Sequence, residues 1–173
     1  MPKTRILAMD LRRSYFGYAA FEMPLKILGS GVAVAKSSEQ ARTRIKILVK
    51  EFRPSLIVLR KLGQQSNRDR SRYTATARIV RHIAKAASIS IGRVSEAQLR
   101  NFFRFLGKRN KYDLAALMAE RFPDLRWKLP RKRKSFQPEP WTISQFDAVS
   151  LGTAYLYAHD AHGLLNIPNL NEA

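Results

Sequence analysis

The stretch Arg5 to Glu22, Arg-Ile-Leu-Ala-Met-Asp-Leu-Arg-Arg-Ser-Tyr-Phe-Gly-Tyr-Ala-Ala-Phe-Glu, decides the fold. Ile6 to Met9 is a short apolar run of the kind that forms a strand buried on both faces, and it stops at an acid, Asp10. The polar turn Arg12-Arg13-Ser14 follows, then a second strand-like run from Tyr15 to Phe21. Gly17 lies inside that run, where glycine marks the close approach of a backbone or a ligand. An aspartate in this place has a bland reading, as a turn residue bonded to its own backbone, and a functional one, as a carboxylate positioned by a buried strand.

The remaining sequence extends this plan. Ile27 to Ala35 reads as a third strand closing an antiparallel meander. Ser37 to Gln40 has the spacing of a capping box and opens a helix with Ala41, Ile45, Leu48, Val49 and Phe52 inward, which Arg53-Pro54 ends. Ser55 to Leu59 is a fourth strand running into Arg60 and Lys61, and Ile89 to Val94 is a fifth. Between them lies a helix with Ala77, Val80, Ile83, Ala84 and Ala87 on its buried face. Ser95 to Gln98 is a second capping box, opening a helix that Gly107 stops, and another helix spans Tyr112 to Phe122. A third capping box, Thr142 to Gln145, opens a last helix with Phe146, Val149, Ser150, Thr153 and Tyr157 on one stripe. Asp147 sits in its first turns, where the helix dipole favours a carboxylate.

Charge narrows the function. The 173 residues carry 32 Lys and Arg against 13 acids, a formal net charge of +19. Such an excess repels itself in the compact state, and its usual compensating partner is a polyanion. The cations cluster. Arg60, Lys61, Arg68, Arg70 and Arg72 lie in a polar run at 60–72, read as a phosphate-contacting or merely solvated loop; Lys108 and Arg109 follow Gly107. Arg131, Lys132, Arg133 and Lys134 lie in an aperiodic segment, 124–141, with Trp127, Phe136 and Trp141 among them. That interleaving suits stacking and phosphate binding; the plain alternative is a basic segment pinned to the core by its tryptophans. No apolar window long enough to span a bilayer and no export signal is present, so no membrane partner is expected. The absence of cysteine fits a cytoplasmic setting and rules out disulfides and Cys-based zinc sites.

The order strand, strand, strand, helix, strand, helix, strand, helices, basic loop, helix predicts one domain over 1–173. Its architecture is an α/β, RNase H-like mixed five-stranded sheet with helices on both faces. Within that fold the chain resembles the RuvC Holliday-junction resolvases. The resemblance rests on Asp10 with Gly17-Tyr18 at the family's spacing, on Val94-Ser95-Glu96-Ala97-Gln98-Leu99-Arg100, on Gly107 with Lys111 beyond it, and on Phe146-Asp147-Ala148-Val149.

That resemblance implies a divalent-metal-dependent endonuclease acting on structured or branched DNA, with Asp10 and Asp147 as metal ligands and Lys111 beside the scissile phosphate. Mg²⁺, or Mn²⁺, would be the cofactor, since hard cations take carboxylate oxygens and two-metal sites hydrolyse phosphodiesters. It also implies a homodimer, whose two-fold axis matches the junction's. Branched DNA is the leading partner and RNA the other. Arg12 and Arg13 join the cations assigned to nucleic-acid binding.

Two positions depart from the family. Arg60 stands where a glutamate ends the fourth strand, and Ser144 where an acid precedes the last aspartate. Arginine keeps its proton and cannot bind a metal. If Arg60 faces the site, it is expected to pair with Asp10 in a cation's place. The acids that could compensate are Glu22, Glu96 and Glu139. The alternative function is therefore a catalytically degenerate nucleic-acid-binding module with a structural or targeting role.

Overall fold

Alternation along the first strand sorts the molecule into two layers. β1 (Arg5–Leu11) is buried from Ile6 onward. Leu7, Met9 and Leu11 face one apolar layer, whereas Ile6 and Ala8 face the other. In the computed structural model, which describes residues 4–23, 25–61, 67–107 and 110–159, β1 lies at the centre of a five-stranded sheet ordered β3-β2-β1-β4-β5. β2 (Tyr15–Glu22) pairs antiparallel with β1, and β3 (Lys26–Val34) antiparallel with β2. β4 (Leu56–Arg60) and β5 (Ser90–Val94) run parallel to β1, as their helical crossovers require.

Helices cover both faces. α1 (Ser38–Phe52) and α2 (Asn67–Ala86) pack on the Leu7–Met9 side. α3 (Glu96–Phe105), α4 (Lys111–Arg121) and α5 (Ser144–His159) pack on the Ile6–Ala8 side. The RNase H-like α/β arrangement expected from the element order is therefore present.

Local chemistry explains most boundaries. Ser37 accepts a hydrogen bond from the Gln40 backbone N–H, while the Gln40 side chain accepts from Lys36, so only half of the expected reciprocal box forms there. The box at Ser95 and Gln98 is complete. Gly107 has φ of 65°, a left-handed conformation that glycine adopts without a Cβ penalty.

Other elements differ from the sequence expectation. The loop read over 60–72 gives way to α2 at Asn67, so Arg70 and Arg72 project from a helix. The Thr142 box does not form. A 3-10 turn, Trp141–Ile143, leads into α5 instead, and the buried Gln145 side chain accepts from the Ser30 hydroxyl. Nor is α5 amphipathic: Phe146, Ala148, Leu151, Gly152 and Ala154 are all buried, while Tyr157 is exposed. A helix laid across a sheet and flanked by two others has no solvent face to give a stripe. A Cβ at Gly152 would sit 2.5 Å from the Phe21 ring, so glycine is what lets α5 lie flat on the sheet.

Candidate functional site

Alternation also places the acid. Asp10 points to the same side of β1 as Ile6 and Ala8, towards α5, and it is 5% exposed. Its register partner is Gly17 on β2. A Cβ on Gly17 would lie 1.9 Å from the Ser144 carbonyl oxygen, so the bare glycine admits the start of α5 against the sheet. That approach brings Ser144 and Asp147, from the far end of the sequence, onto Asp10.

Buried carboxylates need partners, and here the partner is Arg12. Its backbone N–H closes the turn to the Tyr15 carbonyl at 3.0 Å, which aims the side chain back over the end of β1. Nε donates to Asp10 Oδ2 at 2.7 Å and a terminal nitrogen donates to Asp147 Oδ2 at 2.8 Å. One guanidinium fork thus spans both acids. Ser144 Oγ donates to the same Asp10 oxygen at 3.1 Å. Lys111 Nζ lies 3.5 Å from Asp147 Oδ2 and 3.0 Å from Glu139, drawing a third acid to the rim.

The electrostatics follow from this crowding. Burial works against the Arg12 charge, but Asp10 and then Asp147 outweigh it and hold the guanidinium more firmly protonated than usual. Asp147 is pushed up to about 6, first by burial and then by Asp10; Lys111 and Arg12 oppose this without cancelling it. Two acids sharing one arginine cannot both be fully compensated.

Arg60 reaches the same place from β4. Leu56 and Val58 share its side of the strand, so it faces α5 and lines a cleft of about 40 Å³ with Asp10, Lys111, Asp147 and Ser150. The expected Asp10–Arg60 ion pair is not formed: Arg12 holds Asp10 instead, because the turn after β1 returns Arg12 to it. The Ser150 hydroxyl has no partner among the described residues.

The resemblance implies a metal at this donor set. Two ions ~3.5–4 Å apart need more free carboxylate oxygens than this pair of aspartates offers. Arg12 engages one oxygen of each aspartate, two further cations line the cleft, and no group of three candidate ligands exists among the described residues. The residues in this arrangement do not fit a two-metal centre. Glu96 opens α3, and Glu22 pairs with Arg5 at the opposite end of β1.

Among the other cations, Arg13, Lys61, Arg70 and Arg72 are exposed, and Arg72 donates to the Lys36 carbonyl at 3.1 Å. Arg131, Lys132, Arg133 and Lys134 are exposed together. Residues 131–133 line a larger cleft with Lys111 and Glu139, and Lys111 also lines the cleft of the acid pair. Lys108, Arg109 and the side chain of Arg68 lie outside the described residues. Sequence reasoning gave Arg12 a phosphate-contacting role; its position between two buried acids had one local signal, an Asp-x-Arg turn closing a strand.

The fold is a RuvC-like, RNase H-like one. The particular likenesses are to solved resolvases. Thermus thermophilus RuvC matches with a TM-score of 0.65 at 13% identity, covering 90% of this chain and 96% of that one. A T. thermophilus RuvC complex with a Holliday junction substrate gives 0.62 at 11%, covering 90% and 95%. The yeast mitochondrial Holliday junction resolvase gives 0.61 at 12%, covering 90% and 78%. No family model and no curated protein matches the sequence. No helix among the described residues is long and apolar enough to cross a membrane.

Proposed function

We propose that this chain binds branched DNA at the cleft between β1 and α5 as a resolvase-type protein whose carboxylate site is closed by its own arginine. The observation that carries the reading is the Arg12 fork between Asp10 and Asp147, with Arg60 in the same cleft. Arg12, with Lys111 and Arg60 in the same cleft, offsets the acids that would otherwise repel a phosphate backbone, so the face becomes a phosphate-binding surface. Lys111 also lines a larger cleft with the exposed Arg131, Lys132 and Arg133, and the net charge of +19 favours the same partner. In support, two of the solved structures of similar fold are resolvases held with Holliday junction DNA.

A second reading, Mg²⁺- or Mn²⁺-dependent cleavage of the junction, is favoured by one observation. Asp10, Asp147 and Lys111 do converge on one point of the fold. It requires Arg12 to leave the carboxylates.

The test of the binding reading is fluorescence anisotropy in EDTA with a four-way junction and a linear duplex of the same sequence. Tighter binding of the junction, weakening steeply with salt, is expected. Equal affinity for the two would sink it.

A further inference from the structure

The chain has two tryptophans, and both stand at one groove beside the start of α5. Trp127 is 80% exposed and Trp141 53%, although indoles are among the side chains most strongly driven inward. Trp141 makes an edge-type contact with Tyr15, with ring centroids 6.4 Å apart. The floor is Val32 of the edge strand β3 and Gln145 of α5. Gln145 is 6% exposed, and its Oε1 accepts from Ser30 Oγ at 3.4 Å. Its amide N–H groups have no partner among the described residues, and they belong to a side chain that lines the groove. Lys128 borders the groove with Nζ donating to the Ser30 carbonyl at 2.7 Å, and Arg126 on the same turn is exposed.

We propose that this groove is a slot for an unpaired nucleobase of the bound DNA. An indole face supplies stacking, which any base accepts; the Gln145 amide supplies a donor for a base carbonyl; Lys128 and Arg126 place positive charge where the flanking phosphates would run. Charge complementarity selects this occupant, because the segment carrying Trp127 continues into Arg131–Lys134. Gln145 is next to Ser144, which touches Asp10, so the slot adjoins the acid pair on its β3 side. A base displaced at a branch point would reach the slot while its backbone lay over the cleft. The inference rests on the branched-DNA reading above.

Both tryptophans belong to the slot, so intrinsic fluorescence reports on it directly. The probes are a duplex carrying one unpaired thymine, the same duplex fully paired, and a labelled four-way junction followed by anisotropy. The bulged duplex is expected to quench emission at saturation and the paired duplex to quench it much less. Trp127→Ala, at an exposed position, should weaken binding of the bulged duplex by ~5-fold or more while leaving the paired duplex within ~2-fold. Gln145→Leu, which keeps the volume and removes the donors, should act in the same direction. Unchanged emission on a bulged duplex that anisotropy shows to be bound would overturn the slot and leave junction binding standing, as would an equal loss for both duplexes in Trp127→Ala. Failure of all three DNAs to bind would overturn both proposals.

Discussion

Replacing Arg12 by alanine probes the site at its centre. The substitution leaves Asp10 and Asp147, with side chains only 7% and 16% exposed, facing each other without the fork. Breaking a buried pair by removing one partner costs ~3–5 kcal/mol. Arg12 itself keeps 30% of its side chain exposed, and Asp147 can take up a proton, so a loss of ~2–4 kcal/mol at pH 8 is expected. For a chain of this size that is a Tm lower by ~5–15 °C. The sign of the pH dependence is fixed. Asp147 already titrates near 6, above its ordinary range, and without Arg12 it moves higher. The variant's deficit should therefore shrink as the pH falls from 8 to 5, because a protonated Asp147 needs no counter-charge. Calorimetric melts of both proteins across that range measure it. A loss below ~1 kcal/mol at pH 8, or a deficit independent of pH, would refute the clamp.

Other consequences are separately measurable. Asp147 keeps its proton up to about pH 6 in the fold but loses it near 4 when unfolded, so its ionisation lowers stability as pH rises from 4 to 6; Asp147→Asn should remove that fall. Gly17→Ala forces a methyl into the Ser144 carbonyl and should displace the start of α5, costing ~2 kcal/mol or more in a urea melt; a neutral result would contradict the close approach. Changing Arg131, Lys132, Arg133 and Lys134 together to alanine should flatten the dependence of log K on log salt, by ~0.9 for each phosphate no longer neutralised, with the Tm nearly unchanged. An unaltered slope would remove that row from the interface. Arg12→Ala combined with Arg60→Glu frees two acids and adds a third; Mn²⁺ should raise the Tm of that double variant and leave the wild type's unmoved.

What the sequence made legible follows from local physics. A short apolar strand ending in an acid, and a glycine beyond the turn, carry their structural meaning within one hairpin, so β1, β2, Asp10 and Gly17 could be read directly. The Ser95 box was legible because both of its bonds are local. Arg12 was legible only as a turn cation assigned to nucleic-acid binding. Its second partner, Asp147, arrives from 135 residues away, and no spacing rule links the two. Arg60 was expected to be the cation on Asp10 since it ends a neighbouring strand, yet proximity within the β1–β2 turn favoured Arg12. Glu139 belongs to an irregular segment whose path periodicity does not give; its ion pair with Lys111 fixes it at the rim. Gln145 looked like half of a cap because the pattern around Thr142 fits one, and burial against Ser30 overrode it.

The central claim, that Arg12 has taken the place of metal in a junction-binding site, is tested most directly by incubating wild-type protein with a labelled four-way junction. The reactions run in EDTA, Mg²⁺ and Mn²⁺, each scored for binding on a native gel and for cutting on a denaturing one. The account expects the junction to be bound in EDTA and left uncut in all three. Products of defined length appearing with Mg²⁺ or Mn²⁺, and lost in Asp10→Asn, would contradict it and establish the nuclease.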